Sequence, residues 1–224
     1  MKPQESFPIN PQQVRQLRKM VDRGEGFHLE FKRKALYPEK IVREMVAFAN
    51  AGGGILLVGV GDEGTIPGLK YPEDDSHEIR KALERCRPRL PVTETFVPIG
   101  QGKSVLLYEI SESRKKPHYL LNAGNEREAF VRVDDKSIRA SREMCEIARR
   151  MLGNKGTRFH YGDYERMLIQ YLDSHGTITL KTFIELSGLK RFIASRKVVT
   201  LVLAGVLRIT PHEKGDIYSL AIAR

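Results

Sequence analysis

Cysteine is scarce in this chain of 224 residues, which carries only Cys86 and Cys145. Neither has a Cys or His neighbour at the spacing of a zinc site, so a structural zinc module is excluded and reduced, buried thiols are expected. Long apolar runs are also missing. No stretch approaches the roughly 20 apolar residues of a membrane-spanning helix. The opening Met1-Lys2-Pro3-Gln4-Glu5 lacks the apolar core of a signal peptide. These absences argue against secretion and membrane insertion and give a cytoplasmic protein as the expectation. No serine or cysteine stands in a nucleophile elbow, and His77, His118, His160, His175 and His212 are scattered, so a hydrolase triad has no support. A phosphate loop is missing too. Gly100-Gln101-Gly102-Lys103-Ser104 resembles the end of one, but Val97 stands where the first glycine belongs and Ser104 enters a strand; a β-hairpin is expected there.

What is abundant is positive charge. Lys and Arg number 38 against 28 Asp and Glu, a formal net charge of +10. The excess is shared along the chain, with 28 basic and 22 acidic residues up to position 156 and 10 and 6 beyond it. A balance of this kind favours polyanionic partners without selecting one. The apolar fraction, 41%, suffices for globular cores and argues against global disorder.

Periodicity sets out the elements. Asn10-Pro11 is a helix start, because the amide can cap free N–H groups and proline suits the first turn; the helix should reach Val21 and stop before Gly24 and Gly26. Phe27, Leu29 and Phe31 alternate with His28, Glu30 and Lys32, the pattern of a half-buried strand with a polar face. A helix from Pro38, with Ile41, Met45 and Phe48 on one side, ends at Gly52-Gly53-Gly54. An apolar strand at 55–60 follows, then the turn Gly61-Asp62-Glu63-Gly64. Further on, a helix is expected at 76–85, strands at 92–98, 104–110 and 129–133, and a closing helix at 143–152. This mixture predicts one α+β domain over 1–154. Gly153-Asn154-Lys155-Gly156 marks a junction. Beyond it, helices at 164–172 (Met167, Leu168 and Tyr171 inward), at 179–186 and up to Ala204, then strands at 206–209 and 217–221, read as a winged helix-turn-helix domain over 158–224.

Three carboxylates stand out. Glu30 lies on the polar face of the first strand beside His28 and Lys32, Glu25 in the preceding glycine turn, and Asp62 after the second strand. If they converge, they can hold Mg or Mn and activate water against a phosphodiester, with Lys32 neutralising phosphate charge. Equally, Glu25 and Asp62 can be turn residues and Glu30 a salt-bridged surface group. The glycine triplet either lets phosphate approach backbone N–H groups or permits a tight helix-to-strand turn. Arg132 and Arg139 are candidates for a phosphate-binding rim. Lys190, Arg191, Arg196 and Lys197 fall in or before the candidate recognition helix. The wing between the last two strands is nearly neutral, and a winged helix can also bind protein.

Glu25-x4-Glu30-Phe31-Lys32, Ala47-Phe48-Ala49-Asn50-Ala51-Gly52-Gly53-Gly54, the run from Ile55 to Gly64, and Phe130-Val131-Arg132-Val133 with Ser137 and Arg139 resemble, in that order, the Schlafen/AlbA-type DNA-binding domain family. The resemblance covers most of residues 15–150. It implies an Alba-like mixed fold that binds DNA or RNA, and a following winged helix is a familiar arrangement in bacterial relatives, often regarded as regulators. Some eukaryotic Schlafens are metal-dependent endoribonucleases; their three carboxylates match Glu25, Glu30 and Asp62, and Lys32 matches the basic residue after the second acid. The animal enzymes cradle RNA between duplicated lobes, which a homodimer of this single core could supply. The expectation is a DNA-binding transcriptional regulator that needs no cofactor to bind. A Mg- or Mn-dependent endoribonuclease for structured RNA and a winged-helix protein adaptor are the alternatives.

Overall fold

The computed structural model describes residues 8–151, 157 and 159–221. The chain divides into two compact units, one ending at Ser137 and the other beginning at Ile138. The junction expected at 153–156 lies outside the described residues.

In the first unit, α1 (Pro11–Val21) precedes β1 (Leu29–Lys32), α2 (Pro38–Asn50), β2 (Gly54–Val58) and α3 (Pro72–Leu83). Then come β3 (Cys86–Arg87), β4 (Val92–Gly100), β5 (Lys103–Ile110), β6 (Tyr119–Leu121), β7 (Arg127–Glu128) and β8 (Phe130–Val133), which pairs with β9 (Lys136–Arg139). Local chemistry fixes the starts: Asn10 Oδ1 accepts from the N–H groups of Gln12 and Gln13, and prolines open α1, α2 and α3. The central sheet has the order β1-β2-β5-β4, with β1 parallel to β2 and the other pairs antiparallel. Gln101 and Gly102 turn the expected β4–β5 hairpin at positive φ.

Both faces of this sheet are covered. Phe31, Leu57, Val97 and Val105 pack with Leu17 and Val21 of α1 on one side. Leu56, Val58, Leu106 and Tyr108 pack with α2 and Ile79 of α3 on the other. Burying a side chain such as Phe31 contributes about 1.5–3 kcal/mol, and Phe48 and Tyr108 are enclosed as fully in the same unit. Cys86 is buried and its thiol pushed up to about 12 by that burial; it and Cys145 are unbridged.

The second unit contains α4 (Arg142–Met151), α5 (Asp163–His175), β10 (Thr177–Thr179), α6 (Leu180–Ser187), α7 (Arg191–Leu203), β11 (Leu207–Thr210) and β12 (Ile217–Leu220). Its three strands form an antiparallel sheet in the order β10-β12-β11. Thr179 caps α6 through Thr182 N–H, and Gly188 closes that helix in the left-handed conformation. The core joins Leu168, Leu172, Ile178, Phe183, Val198 and Tyr218. Met167, expected to face inward, is 39% exposed, and the inward face of α5 is Leu168 and Leu172. Helix α4, read from sequence as the closing element of the first domain, packs in the second unit: Ser195 of α7 donates to its buried Glu143 at 2.6 Å. Among the described residues no helix is long and apolar enough to cross a membrane.

Candidate nucleic-acid interface

Strand β1 lies at one edge of the central sheet, where among the described residues it pairs with β2 alone. A free edge exposes backbone donors and acceptors. Here the Gly24–Gly26 turn folds back on it. Gly26 and Leu29 exchange backbone hydrogen bonds, and Phe31 N–H donates to Glu25 Oε1 at 2.8 Å. Glu25 is therefore a side-chain cap on the strand edge. Burial raises its pKa above the ordinary carboxylate value, and repulsion from Glu30 and Asp62 adds to this.

Glu30 is not on a solvated face. It points with Leu56 and Val58 toward α2, because the sheet is sandwiched between helices, and is 7% exposed. Its Oε1 accepts from Lys32, and its Oε2 accepts from Arg132 at 3.0 Å. Arg132, from β8, also donates to Glu44 at 3.0 Å, to Ser137 Oγ at 3.2 Å and to the Gly26 carbonyl at 2.7 Å, and its guanidinium lies 4.7 Å from the Phe48 ring centre. Ser137 in turn donates to Glu44. The Arg132 side chain is 0% exposed. This corrects the expectation that Arg132 binds phosphate: its charge is spent internally, between two carboxylates. Lys32 is part-exposed and shares its charge with Glu30, and Arg139 is exposed at the end of β9.

The same geometry bears on the metal question. Both oxygens of Glu30 are engaged by cations and one oxygen of Glu25 by backbone, while Asp62 is exposed. Among the described residues no group of three or more His, Cys, Asp or Glu side chains is arranged to hold a metal ion. The carboxylates are neighbours, but the residues as placed do not fit Mg or Mn.

The alanine-glycine motif also has internal work. Asn50 Oδ1 accepts from His118 N–H at 2.7 Å, and its amide nitrogen donates to the carbonyls of His118 and Phe130 at 3.0 and 2.9 Å. Gly53 has φ +78°, its N–H donates to the Phe48 carbonyl, and its own carbonyl lies 2.8 Å from His28 Nδ1. A Cβ on Gly54 would sit 2.4 Å from the Phe48 ring. The triplet is a close-packed turn rather than an open phosphate cradle.

These pieces are the ones a family description covers. The family model Schlafen, AlbA_2 matches residues 25–141, just over half the chain. The chain belongs to the Schlafen AlbA_2 family. Membership suggests nucleic-acid binding at a coarse level and no more specific role. No curated protein matches the chain. Among solved structures, it is similar to the DIP2311 protein from Corynebacterium diphtheriae at 14% identity and a TM-score of 0.44, over 94% of this chain and 38% of that one. The chain thus spans well under half the length of that protein, and the likeness carries no argument.

Outside the Schlafen AlbA_2 segment, the predicted cations divide. Lys190, Arg191 and Arg196 are exposed at and along α7, with Arg191 3.8 Å from Glu143. Lys197 is a correction: it is held against the buried Glu165 and lies 5.4 Å from the Tyr164 ring centre. Burial works against the Glu165 charge, but the hydrogen bonds from Lys197 and from backbone N–H groups outweigh it and hold the carboxyl below its ordinary value.

Sequence reasoning missed a groove of about 560 Å³ in the first unit. Arg33, Lys34, Lys70 and Lys103 line it, with Tyr71, Leu36 and the acids Asp74 and Asp75. The adjoining Lys32-Arg33-Lys34 run was legible as a signal, but Lys70 and Lys103 reach it only through sheet topology.

Proposed function

We propose that this Schlafen AlbA_2 protein is a DNA-binding transcriptional regulator in which the second unit is a winged helix-turn-helix module and α7 its recognition helix. The observation that carries the reading is the row Lys190, Arg191 and Arg196, exposed on the helix that follows the Gly188 turn and precedes the β11–β12 hairpin. Cations on such a helix neutralise phosphates and reach base edges. No metal or cofactor enters this binding.

The test is anisotropy with duplex DNA over a salt series. Binding should weaken linearly on a log–log plot with a slope of roughly −0.9 per phosphate contact, and Arg191→Ala with Arg196→Ala should flatten that slope. Absence of salt-dependent binding to any DNA or RNA removes the reading.

One observation favours a second reading, a protein-binding adaptor. Phe192 is 61% exposed on α7, beside a groove of about 330 Å³ also lined by Phe159, Ile193 and Leu201. Exposed aromatics are anchors of protein interfaces. Weak nucleic-acid affinity that is indifferent to Arg196→Ala favours this reading.

A further inference from the structure

We infer that the groove at the end of β1 is a second nucleic-acid site, one for an unpaired strand: cations take its backbone, Tyr71 stacks a base, and the acids at the start of α3 accept from that base's edge. The inference rests on the nucleic-acid reading above and adds to it the class of ligand at a site that α7 does not form.

Three segments build the groove. Arg33 and Lys34 follow β1 directly, Lys70 and Tyr71 lead into α3, and Lys103 opens β5. The backbone fixes the last two segments against each other, since Leu69 and Ser104 exchange both backbone hydrogen bonds, at 2.7 and 3.1 Å. Gly68 is the packing point. It has φ +66°, and a Cβ there would meet Ile99 at 2.6 Å and Lys103 Cβ at 3.1 Å. The lining is therefore assembled on the sheet.

The chemistry discriminates between ligands. Four cations against two carboxylates leave the lining net positive, which suits a polyanion. Tyr71 is 55% exposed and Lys70 lies 5.1 Å from its ring centre, an aromatic next to a cation, the pairing that holds single strands by stacking and phosphate contact together. Asp74 and Asp75 would repel a second phosphate row, but they are acceptors for base amino and imino groups. In a duplex the imino proton is taken by the complementary base and the ring face by the stacked neighbours. An unpaired nucleotide offers all three partners at once: phosphate, ring face and base edge.

The test uses the full chain and short labelled DNA and RNA homopolymers beside a duplex, each followed by anisotropy. Tyr71→Ala should weaken single-strand binding about thirtyfold, the middle of what loss of one stacked base costs, and leave duplex binding within about twofold. Tyr71→Phe, which keeps the ring, should retain affinity; this separates stacking from folding. Arg33→Ala with Lys34→Ala should reduce the single-strand salt slope by roughly 0.7 per lost contact. The ratio of oligodeoxythymidine to oligouridine affinity tells DNA from RNA. Wild type that binds duplex but no single strand overturns this inference alone, as does unchanged single-strand affinity in the Tyr71→Ala and Arg33/Lys34 variants. Wild type that binds nothing overturns the nucleic-acid reading with it.

Discussion

Arg132 and Glu30, 102 residues apart in the chain, meet at 3.0 Å with the arginine side chain fully shut away from solvent. Glu44 shares the same guanidinium nitrogen, so one cation bridges two acids, and Lys32 supplies the second positive charge at Glu30. Removing one partner of a buried pair leaves uncompensated charge and costs about 3–5 kcal/mol. Arg132→Met should therefore destabilise the first unit by that order in urea denaturation. Normal stability in the variant with a weakened, less salt-sensitive nucleic-acid affinity would instead make Arg132 a phosphate contact.

Gly54 and Phe48 make a second steric prediction. A methyl on Gly54 would stand 2.4 Å from the Phe48 ring, in a part of the core where the ring itself is fully buried. Overpacking of this kind costs about 1–3 kcal/mol. Gly54→Ala should lower stability by that amount, and adding Phe48→Leu should return part of it. Strictly additive losses in the double variant would place the strain elsewhere.

Glu165 and Lys197 give a pH dependence with a definite sign. The folded state holds the Glu165 carboxyl below its unfolded value near 4.5, so it binds protons less tightly than the unfolded chain. The stability from this pair is fully present above pH 4.5 and is lost as pH falls through the lower folded value. Lys197→Met should cost about 1–3 kcal/mol at neutral pH by leaving the buried carboxylate short of a partner. The difference between variant and wild type should shrink in acid. A difference that stays constant through that window would mean the lysine acts through its apolar stem.

The elements of both units were legible because their signals are local. Asn10-Pro11 opens α1 as its capping chemistry predicts, and alternation at 27–32 predicts β1. What alternation could not tell was which face of β1 meets water. Glu30 and Lys32 look solvent-facing beside Phe31, yet α2 and β8 cover their side. Period-2 patterning reports two faces, and a sheet between helices has no wet one. Arg132 misled for the same reason: a lone arginine in an apolar strand looks like a surface cation until its carboxylate partners, 88 and 102 residues away, are known. The groove lined by Arg33, Lys70 and Lys103 was out of reach because its segments, distant in sequence, meet through the Leu69–Ser104 bridge and through the Gly59–Lys32 and Gly68–Gly59 backbone hydrogen bonds.

The carboxylates at Glu25, Glu30 and Asp62 yield the last prediction. A metal that bound the native protein would stabilise it by mass action, raising the melting temperature with concentration. Glu30, however, already faces Lys32 and Arg132, and Glu25 caps the Phe31 N–H. Releasing Glu30 to a metal would strand the buried Arg132 between fewer anions, a cost of the same order as breaking the pair. Millimolar Mg or Mn should accordingly leave the thermal melt unchanged relative to chelator, and Glu30→Gln should lower it equally with and without metal. A metal-dependent rise that disappears in both Glu25→Gln and Asp62→Asn would show that the three acids rearrange to take an ion. It would also make metal-dependent cleavage of RNA the next activity to measure.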